Sequence, residues 1–401
     1  DRSEVNGFMA SGSGTRCDVL IFSASYGAGH YQVSNALATA IKQQRPDWNV
    51  EICDFLNYIN PFFRQTLLFG YRQVIKHFST GYKWFYEATR HLPPDSGWQR
   101  MLNRMGGQKL LKAIYNHSPS IIVCTFPYPA GVFSYLKSRG YINTPLVTVI
   151  TDVAFHSQWI HPYVDAYILA ADVVAKYLKR KGIPSSRLYV TGLPLRQEFM
   201  SPCHNPSIWE RYGLKRDFFT LLMMGGGCGL LSDTEYICES LAKLDLPIQV
   251  IAVTGTNYAL AKRLKDISQH SRIPLCVLGY VDNVAELMEI SDLLLTKAGG
   301  VTVFEALAKK LPMLIYKPLP GHERSNARFL LRYKVAIQVD DEDEVVKTIV
   351  NCVNNPLMLK SMAQAMESIS KPFAAREAAN IIVQMAENYR DSSQQPKLFI
   401  S

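Results

Sequence analysis

Between Ser23 and Leu37 the chain reads SASYGAGHYQVSNAL, with Gly27, Gly29 and His30 packed into one short turn. Histidine is the side chain that titrates near neutrality unaided. A neutral imidazole there can take the proton of an attacking hydroxyl, or it can hydrogen-bond a phosphate. Asp152, in VITDVAFH, is the rival base or the partner that orients His30. A second set of residues is suited to holding rather than reacting. TKAGGVTVFEAL places Lys297, Ala298, Gly299, Gly300 and Val301 ahead of Glu305. A diphosphate can rest on bare amides beside the lysine, and a carboxylate can accept both hydroxyls of a vicinal diol. MMGGGCG supplies Gly226 and Gly227, AVTGTN supplies Gly255 and Asn257, and GYVDN supplies Tyr280 and Val281, whose backbone can pair with the edge of a nucleobase. YKPLPGHERSNA adds Gly321, His322, Glu323 and Asn326, polar groups that could meet sugar hydroxyls or a terminal phosphate. Ordinary tight turns, helix starts and helix packing compete with each of these readings, most evenly at the glycines and at Asn257.

Such residues need elements that bring them together. Short apolar runs rich in β-branched residues are expected as buried parallel strands at Val19–Phe22, Val50–Cys53, 121–125, Leu146–Ile150, Ala166–Leu169 and 188–190. A second series follows at 220–224, Ile248–Val253, Leu275–Leu278, Leu293–Thr296, Met313–Tyr316 and Ala336–Val339. Helical patterns fill the intervals, which predicts two doubly wound α/β domains. TGLPLRQEFMSPCHNP interrupts the alternation and reads as a linker. The expected organisation is a flexible tail over 1–16, an N-terminal Rossmann-like domain over 17–195 and a second over 196–371. A helix over 372–390 and a tail over 391–401 complete it. Two such domains would face a central cleft, and nearly every glycine-rich turn falls at the carboxyl end of a strand, where ligands of open α/β sheets bind. The acidic run VDDEDEVV is expected to start a helix, its carboxylates favouring the dipole.

Composition narrows the classes. The 401 residues are 48% hydrophobic and carry a formal charge of +9. No run of eighteen apolar residues predicts a membrane-spanning helix, and the opening residues lack the apolar stretch of a signal peptide. The eight cysteines show no C-x-x-C pair, which favours reduced thiols and argues against zinc. No D-x-D follows a strand, so no metal is expected beside a diphosphate. A dinucleotide dehydrogenase is disfavoured because Gln32 stands where G-x-G-x-x-G needs its third glycine.

The segments SASYGAGH, TFPYPAG, TDVAFHSQWIHPYVDAY, VTGLPLRQEF, GYVDNVAELM, TKAGGVTVFEAL and YKPLPGHERSNA together resemble glycosyltransferase family 28. Within that family they are most similar to processive diacylglycerol β-glucosyltransferases and then to monogalactosyldiacylglycerol synthases. The resemblance spans Cys17 to Tyr389. It implies a GT-B fold, with a C-terminal helix crossing back to the first domain. It also implies an inverting transfer of glucose or galactose from a UDP-sugar to diacylglycerol, with no cofactor beyond the donor substrate. UDP would be held by the second domain and the acceptor by the first. Two departures stand out. The family's Gly-Gln-Glu turn reads Gly321-His322-Glu323 here, so sugar preference does not carry over with it. The KPGG or KAGP turn reads KAGG, a milder change that should still hold a diphosphate.

On the acceptor side, Pro127 lies in TFPYPAG, which either walls the acceptor or is a plain proline-rich turn. Residues 61–92 interleave aromatic and basic side chains, with Glu87 the only acid. Phe62, Phe63, Phe69, Trp84 and Phe85 could enter a bilayer interface while Arg64 and Lys83 meet anionic lipids. Two ordinary helices with aromatic core faces, or a stacking platform for single-stranded nucleic acid, are the competing readings. UDP-type turns elsewhere disfavour nucleic acid. Peripheral attachment at the cytoplasmic face of a cell membrane follows from the resemblance, or at the plastid envelope for a plant source. A muramyl-lipid N-acetylglucosaminyl transferase, a UDP-sugar 2-epimerase and a non-catalytic UDP-sugar sensor remain the alternatives.

Overall fold

The computed structural model describes residues 17–24, 28–59, 107–153, 156–202, 207–227, 229 and 231–394. Backbone contacts divide the chain into two units. One holds the described residues up to 151, those of 156–194 and those from 373 onward; the other holds 195–372 together with Asp152 and Val153.

The first unit is built on six parallel strands, β1 (Val19–Ser23), β2 (Val50–Asp54), β3 (Ile121–Cys124), β4 (Leu146–Ile150), β5 (Ala166–Leu169) and β6 (Leu188–Tyr189), in the order β2-β1-β3-β4-β5-β6. Every residue of β1, β3, β4 and β5 is buried. Helices cover both faces of such a sheet, so its strands read as unbroken apolar runs instead of alternating ones. The crossovers are α1 (Ala28–Gln44), α2 (Gly107–His117), α3 (Pro127–Ser138) and α4 (Asp172–Arg180). Strand order reverses between β1 and β3, so the turns into α1 and α3 leave neighbouring strands in opposite directions and open a crevice at their carboxyl ends.

In the second unit, after the short α5 (Ile208–Arg211), come β7 (Phe219–Met224), β8 (Ile248–Val253), β9 (Leu275–Leu278), β10 (Leu293–Thr296), β11 (Met313–Tyr316) and β12 (Ala336–Val339), in the order β12-β11-β10-β7-β8-β9. Its helices are α6 (Thr234–Ala242), α7 (Tyr258–Ser268), α8 (Val284–Glu289), α9 (Gly300–Ala308), α10 (His322–Arg332), α11 (Glu342–Asn354) and α12 (Pro356–Met366). The reversal here falls between β7 and β10, the strands that feed the MGGGCG and KAGG turns. The acidic run starts α11, with Asp341 accepting hydrogen bonds from the amides of Asp343 and Glu344.

The last helix, α13 (Ala374–Gln394), belongs to the first unit. It starts two residues later than its pattern suggests, at Ala374, and runs on to Gln394. Ala374, Ala375, Ala378, Ala379 and Ala386 are buried, and these small side chains let α13 pack closely along α1. Arg390 lies over the Trp48 ring, 4.3 Å from its centroid, donates to Ser120 at 2.7 Å and pairs with Asp18. Arg45 pairs with Glu387. The chain therefore leaves the first unit, builds the second and returns to the first.

Candidate active site

In the first unit the sheet reversal sets the end of β3 beside the start of α1. His30 stands in the first turn of α1, with Gly29 before it. Its Nδ1 lies 2.7 Å from the Thr125 carbonyl oxygen and 3.3 Å from the Thr151 hydroxyl. A carbonyl only accepts, so the ring proton sits on Nδ1 and the lone pair of the neutral imidazole on Nε2. Ser34 supports the arrangement, 2.9 Å from the Thr125 hydroxyl and 3.0 Å from the His30 carbonyl it donates to. The Phe126 ring stands edge-on to His30 at 5.2 Å. Pro127 is the first residue of α3, where its missing N–H costs nothing. Phe55 lies against both Phe126 and Tyr128. His156 and His161 serve the framework. His156 accepts from the Gln158 amide, and burial pushes His161 down to about 4, keeping it neutral.

In the second unit two helix starts converge. Gly299 precedes α9 and Gly321 precedes α10, and neither helix has a side-chain cap. The opening amides of a helix lack partners within it, so both starts offer donors and the positive end of a dipole. A β-carbon built on Gly299 would meet nothing within 4 Å, so the space before α9 is open. Between the two starts Lys297 pairs with Glu323 at 2.8 Å, while the second Glu323 oxygen accepts from the Leu319 amide at 2.8 Å. Asn326 is fully buried, and its amide donates to the Ala298 carbonyl at 3.0 Å and to Asp152 at 3.2 Å. Its oxygen accepts from the Val153 amide at 2.9 Å. Ala298 takes a left-handed φ of 67°, and Asn326 fastens the carbonyl of that turn. Thus Lys297, Ala298, Gly299, Gly300, Val301, Gly321, His322, Glu323 and Asn326 meet in one place. Within it Glu323 and Asn326 hold the turns together.

The neighbouring turns sort differently. At Gly226, φ is +76° and the surroundings are open. Gly229 and Gly255 instead interlock: a β-carbon on Gly229 would lie 1.9 Å from the Thr254 oxygen, and one on Gly255 would lie 2.2 Å from the Gly227 oxygen. The Gly227 carbonyl accepts from the Thr256 amide at 3.1 Å. Asn257 caps α7, accepting from the Leu260 amide at 3.1 Å. These glycines are needed for one turn to pack on the next.

Glu305, on α9, is buried with Arg196 Nη2 4.0 Å away. Burial pushes its carboxyl up to about 7, Arg196 pulling it down and Glu198 pushing it up. Arg196 also donates to the Asp282 carbonyl at 2.9 Å and pairs with Glu198 at 2.9 Å. Asp282 follows Tyr280 and Val281, so one guanidinium ties the GYVDN turn to Glu305. Sequence reasoning assigned Arg196 no role; an arginine inside a proline-rich linker has no periodicity to flag it. A second cluster went unnoticed. Lys317 and Asp233 both have left-handed φ, 43° and 51°. Lys317 pairs with Asp233 at 2.8 Å and with Glu342 at 3.2 Å, and the Tyr316 hydroxyl donates to Asp233 at 2.6 Å. Burial would raise the Asp233 carboxyl, but the hydrogen bonds from Lys317 and Tyr316 hold it below its ordinary value. The cluster anchors the start of the loop that ends at Gly321. Phe62, Phe63, Arg64, Phe69, Lys83, Trp84 and Phe85 lie outside the described residues. Among the described residues no group of three His, Cys, Asp or Glu is placed to hold a metal ion.

Two Rossmann-like units, each on a parallel sheet, with a last helix returning to the first define the GT-B architecture. Known structures agree in fold. Acinetobacter baumannii MurG matches with a TM-score of 0.60 at 16% identity, over 92% of this chain and 99% of that one. The UDP-GlcNAc 2-epimerase of Neisseria meningitidis, bound to UDP-GlcNAc, matches at 0.57 with 15% identity, over 92% and 99%. Family models separate two regions: residues 30–195 match monogalactosyldiacylglycerol (MGDG) synthase, and 220–384 match the glycosyltransferase family 28 C-terminal domain. A processive diacylglycerol beta-glucosyltransferase of Bacillus pumilus is 33% identical over 93% of this chain and 96% of its own length. One of Bacillus mycoides is 31% identical over 94% and 96%. The chain belongs to glycosyltransferase family 28, in the group of monogalactosyldiacylglycerol synthases and processive diacylglycerol β-glucosyltransferases, and is an enzyme of that class.

Proposed function

We propose that the protein moves a hexose, glucose or galactose, from a UDP-sugar to the hydroxyl of diacylglycerol with inversion at the anomeric carbon. The donor half of the reading is carried by one observation: two helix starts without side-chain caps, α9 and α10, converge beside Lys297. Their amides would receive the diphosphate, the Tyr280–Val281 backbone the base, and Glu305 the ribose. The acceptor is supported by the names of the relatives, and those names favour glucose.

The step is a single displacement. The lipid hydroxyl oxygen forms a bond to the anomeric carbon, His30 Nε2 takes its proton, and the bond to the UDP oxygen breaks on the opposite face. Attack from behind inverts the configuration. Thr125 holds the tautomer that makes Nε2 the base, which favours His30 over Asp152, whose carboxylate accepts from Asn326. Charge accumulates on the departing diphosphate. A helix dipole contributes roughly 0.3–2 kcal/mol, whereas enzymes lower barriers by at least about 8 kcal/mol. Lys297, the gathered amides, substrate orientation and the base must supply the remainder.

Among the described residues no helix is long and apolar enough to cross a membrane. On this reading the protein meets its lipid at the bilayer surface, with residues 61–92 as the proposed contact in the first unit and anionic lipids as its partners. Incubation with labelled UDP-glucose or UDP-galactose and diacylglycerol vesicles, followed by lipid extraction, tests the reading. Label in the organic phase is the expected result; label that stays aqueous with both donors overturns it.

A further inference from the structure

The inward face of α10 is occupied by Glu323, Asn326 and a buried apolar set that includes Ala327, Phe329 and Leu330. Its outward face is different in kind. Every exposed residue of the helix is an arginine or a leucine: Arg324, Arg328, Leu331 and Arg332. The three arginines stand four residues apart, so they line one stripe about 12 Å long. Like charges at that spacing destabilise a helix. Nothing within the described residues relieves the repulsion, since none of the three arginines makes an ion pair there. Among the described residues the one hydrogen bond of their guanidinium groups runs from Arg328 Nε to the Arg324 carbonyl of the same helix, at 3.3 Å. Elsewhere on the second unit several basic side chains find acids, Arg263 with Glu235, Lys309 with Glu289 and Lys310 with Glu367, while others, such as Lys243, Lys262 and Lys265, find none among the described residues; what sets α10 apart is three cations on one stripe. The α10 stripe is therefore a local cost that its own fold does not offset.

We propose that the outward face of α10 docks on a membrane leaflet rich in anionic phosphate headgroups. The inference rests on the reading that the acceptor lies in a bilayer, and it adds a membrane contact on the donor-binding unit. Guanidinium forks match phosphate oxygens two at a time, and arginine keeps its charge at any working pH. Leu331 supplies an apolar side chain at the same face, 37% exposed, suited to the boundary between headgroups and acyl chains. A duplex nucleic acid would accept the charges but gives the leucine nothing to enter, so the leaflet fits better. Because α10 begins at Gly321 and His322, docking this helix would hold the sugar-side turn of the donor site close to the lipid surface.

The full-length protein is sedimented with phosphatidylcholine vesicles containing or lacking phosphatidylglycerol, without donor or diacylglycerol. The variant Arg324→Gln/Arg328→Gln/Arg332→Gln is compared with Lys243→Gln/Lys262→Gln/Lys265→Gln, which removes three exposed charges from other helices and loops of the same unit. The α10 variant should lose on the order of 100-fold in partitioning to the anionic vesicles, and the control less than about threefold. Both should keep wild-type UDP affinity, which shows that they fold, and wild-type turnover on diacylglycerol dispersed in neutral detergent. Equal losses in the two variants would reduce the effect to net charge and overturn the proposal. So would unchanged vesicle binding by the α10 variant, including the case in which it instead loses affinity for a duplex oligonucleotide. The detergent assay reads the transferase reaction separately, so its failure is distinguishable from failure of the docking.

Discussion

Helices α7 and α11 begin on their own side chains, and α9 and α10 begin on glycine. Asn257 and Asp341 accept from the first amides of α7 and α11. Gly299 and Gly321 leave those amides uncapped. All four starts lie at carboxyl ends of strands in one sheet, so position alone does not separate them. What separates them is whether the chain satisfies its own orphan donors or leaves them for something else. A cap is worth about 1 kcal/mol; it is absent at the two turns that meet beside Lys297, as it also is at α6 and α8. What singles out α9 and α10 is that their uncapped starts meet beside a lysine, the arrangement that the proposed diphosphate site requires.

The sharpest way to break the contrast is to cap α9. Gly299 has an extended backbone, φ −61° and ψ 139°, and open space at its β-carbon, so Gly299→Asp fits without strain. The variant should melt at or slightly above the wild-type temperature. Its UDP affinity should fall by about 100-fold or more, because a carboxylate would take the amides and repel the diphosphate. Isothermal titration and thermal melts read the two effects separately. An unchanged affinity would place the diphosphate elsewhere. Next in size is Lys297→Met. Lys297 faces a Glu323 side chain that is only 3% exposed, so the single variant leaves a buried carboxylate without its cation. It should lose roughly 2–4 kcal/mol of stability as well as turnover. Lys297→Met/Glu323→Gln should regain most of the stability and none of the turnover, which isolates the lysine's part in the reaction.

Glu305 extends the comparison to a side chain whose burial opposes folding. An acid whose folded value is raised contributes stability that is complete below its unfolded value and is lost as pH rises through about 7. The ligand-free protein should therefore lose on the order of 3 kcal/mol from this group between pH 4.5 and 8. Glu305→Gln should remove that slope and raise the melting temperature at pH 8. If the carboxylate accepts two ribose hydroxyls, wild-type affinity for UDP should drop as pH falls below about 7. The glutamine variant should bind about tenfold more weakly at pH 8, with a flat profile. A gain in both stability and affinity would remove Glu305 from the site. Opposite signs would mark it as a residue kept for binding at the expense of folding.

How much of this was legible in the sequence follows the same division. All twelve strands among the described residues fall within one residue of the runs that announce them, because a strand covered on both faces must be apolar throughout. The position of the glycine turns at strand ends was legible because each follows an apolar strand run and precedes a helical pattern. Two features were not. Glycine is written identically whether it borders open space, as at Gly299, or makes way for a neighbouring carbonyl, as at Gly255; only the distances from a built β-carbon tell them apart. Polar partners distant along the chain were equally hidden. Lys297 with Glu323, Asn326 with Ala298, and Arg196 with both Asp282 and Glu305 are joined by the fold and not by local spacing. The alternating helical and strand periods carry no information about which turn faces which.

Gly255 tests the packing class directly. Gly255→Ala meets a left-handed φ of +55° and a carbonyl 2.2 Å away. It should cost about 2–3 kcal/mol in urea unfolding, with UDP affinity in the folded fraction reduced by no more than severalfold. A fully stable variant that no longer bound UDP would move this glycine into the ligand class.

The smallest expected effect is at Asn257, and it is the most direct control on the comparison. Asn257→Ala removes the cap of α7 and leaves the Leu260 amide to water, since the start of this helix is partly exposed. The loss should be about 1 kcal/mol, read as a lower urea midpoint with an unchanged slope. UDP affinity and turnover should stay within twofold of wild type, because a donor satisfied by its own chain has nothing left to offer a ligand. Asn257→Asp should restore the stability, since a carboxylate caps as well as an amide and favours the positive end of the helix. A carboxylate at this start that left the nucleotide undisturbed, set beside the same substitution at Gly299 abolishing it, would show that the two kinds of helix start differ in task and not merely in sequence.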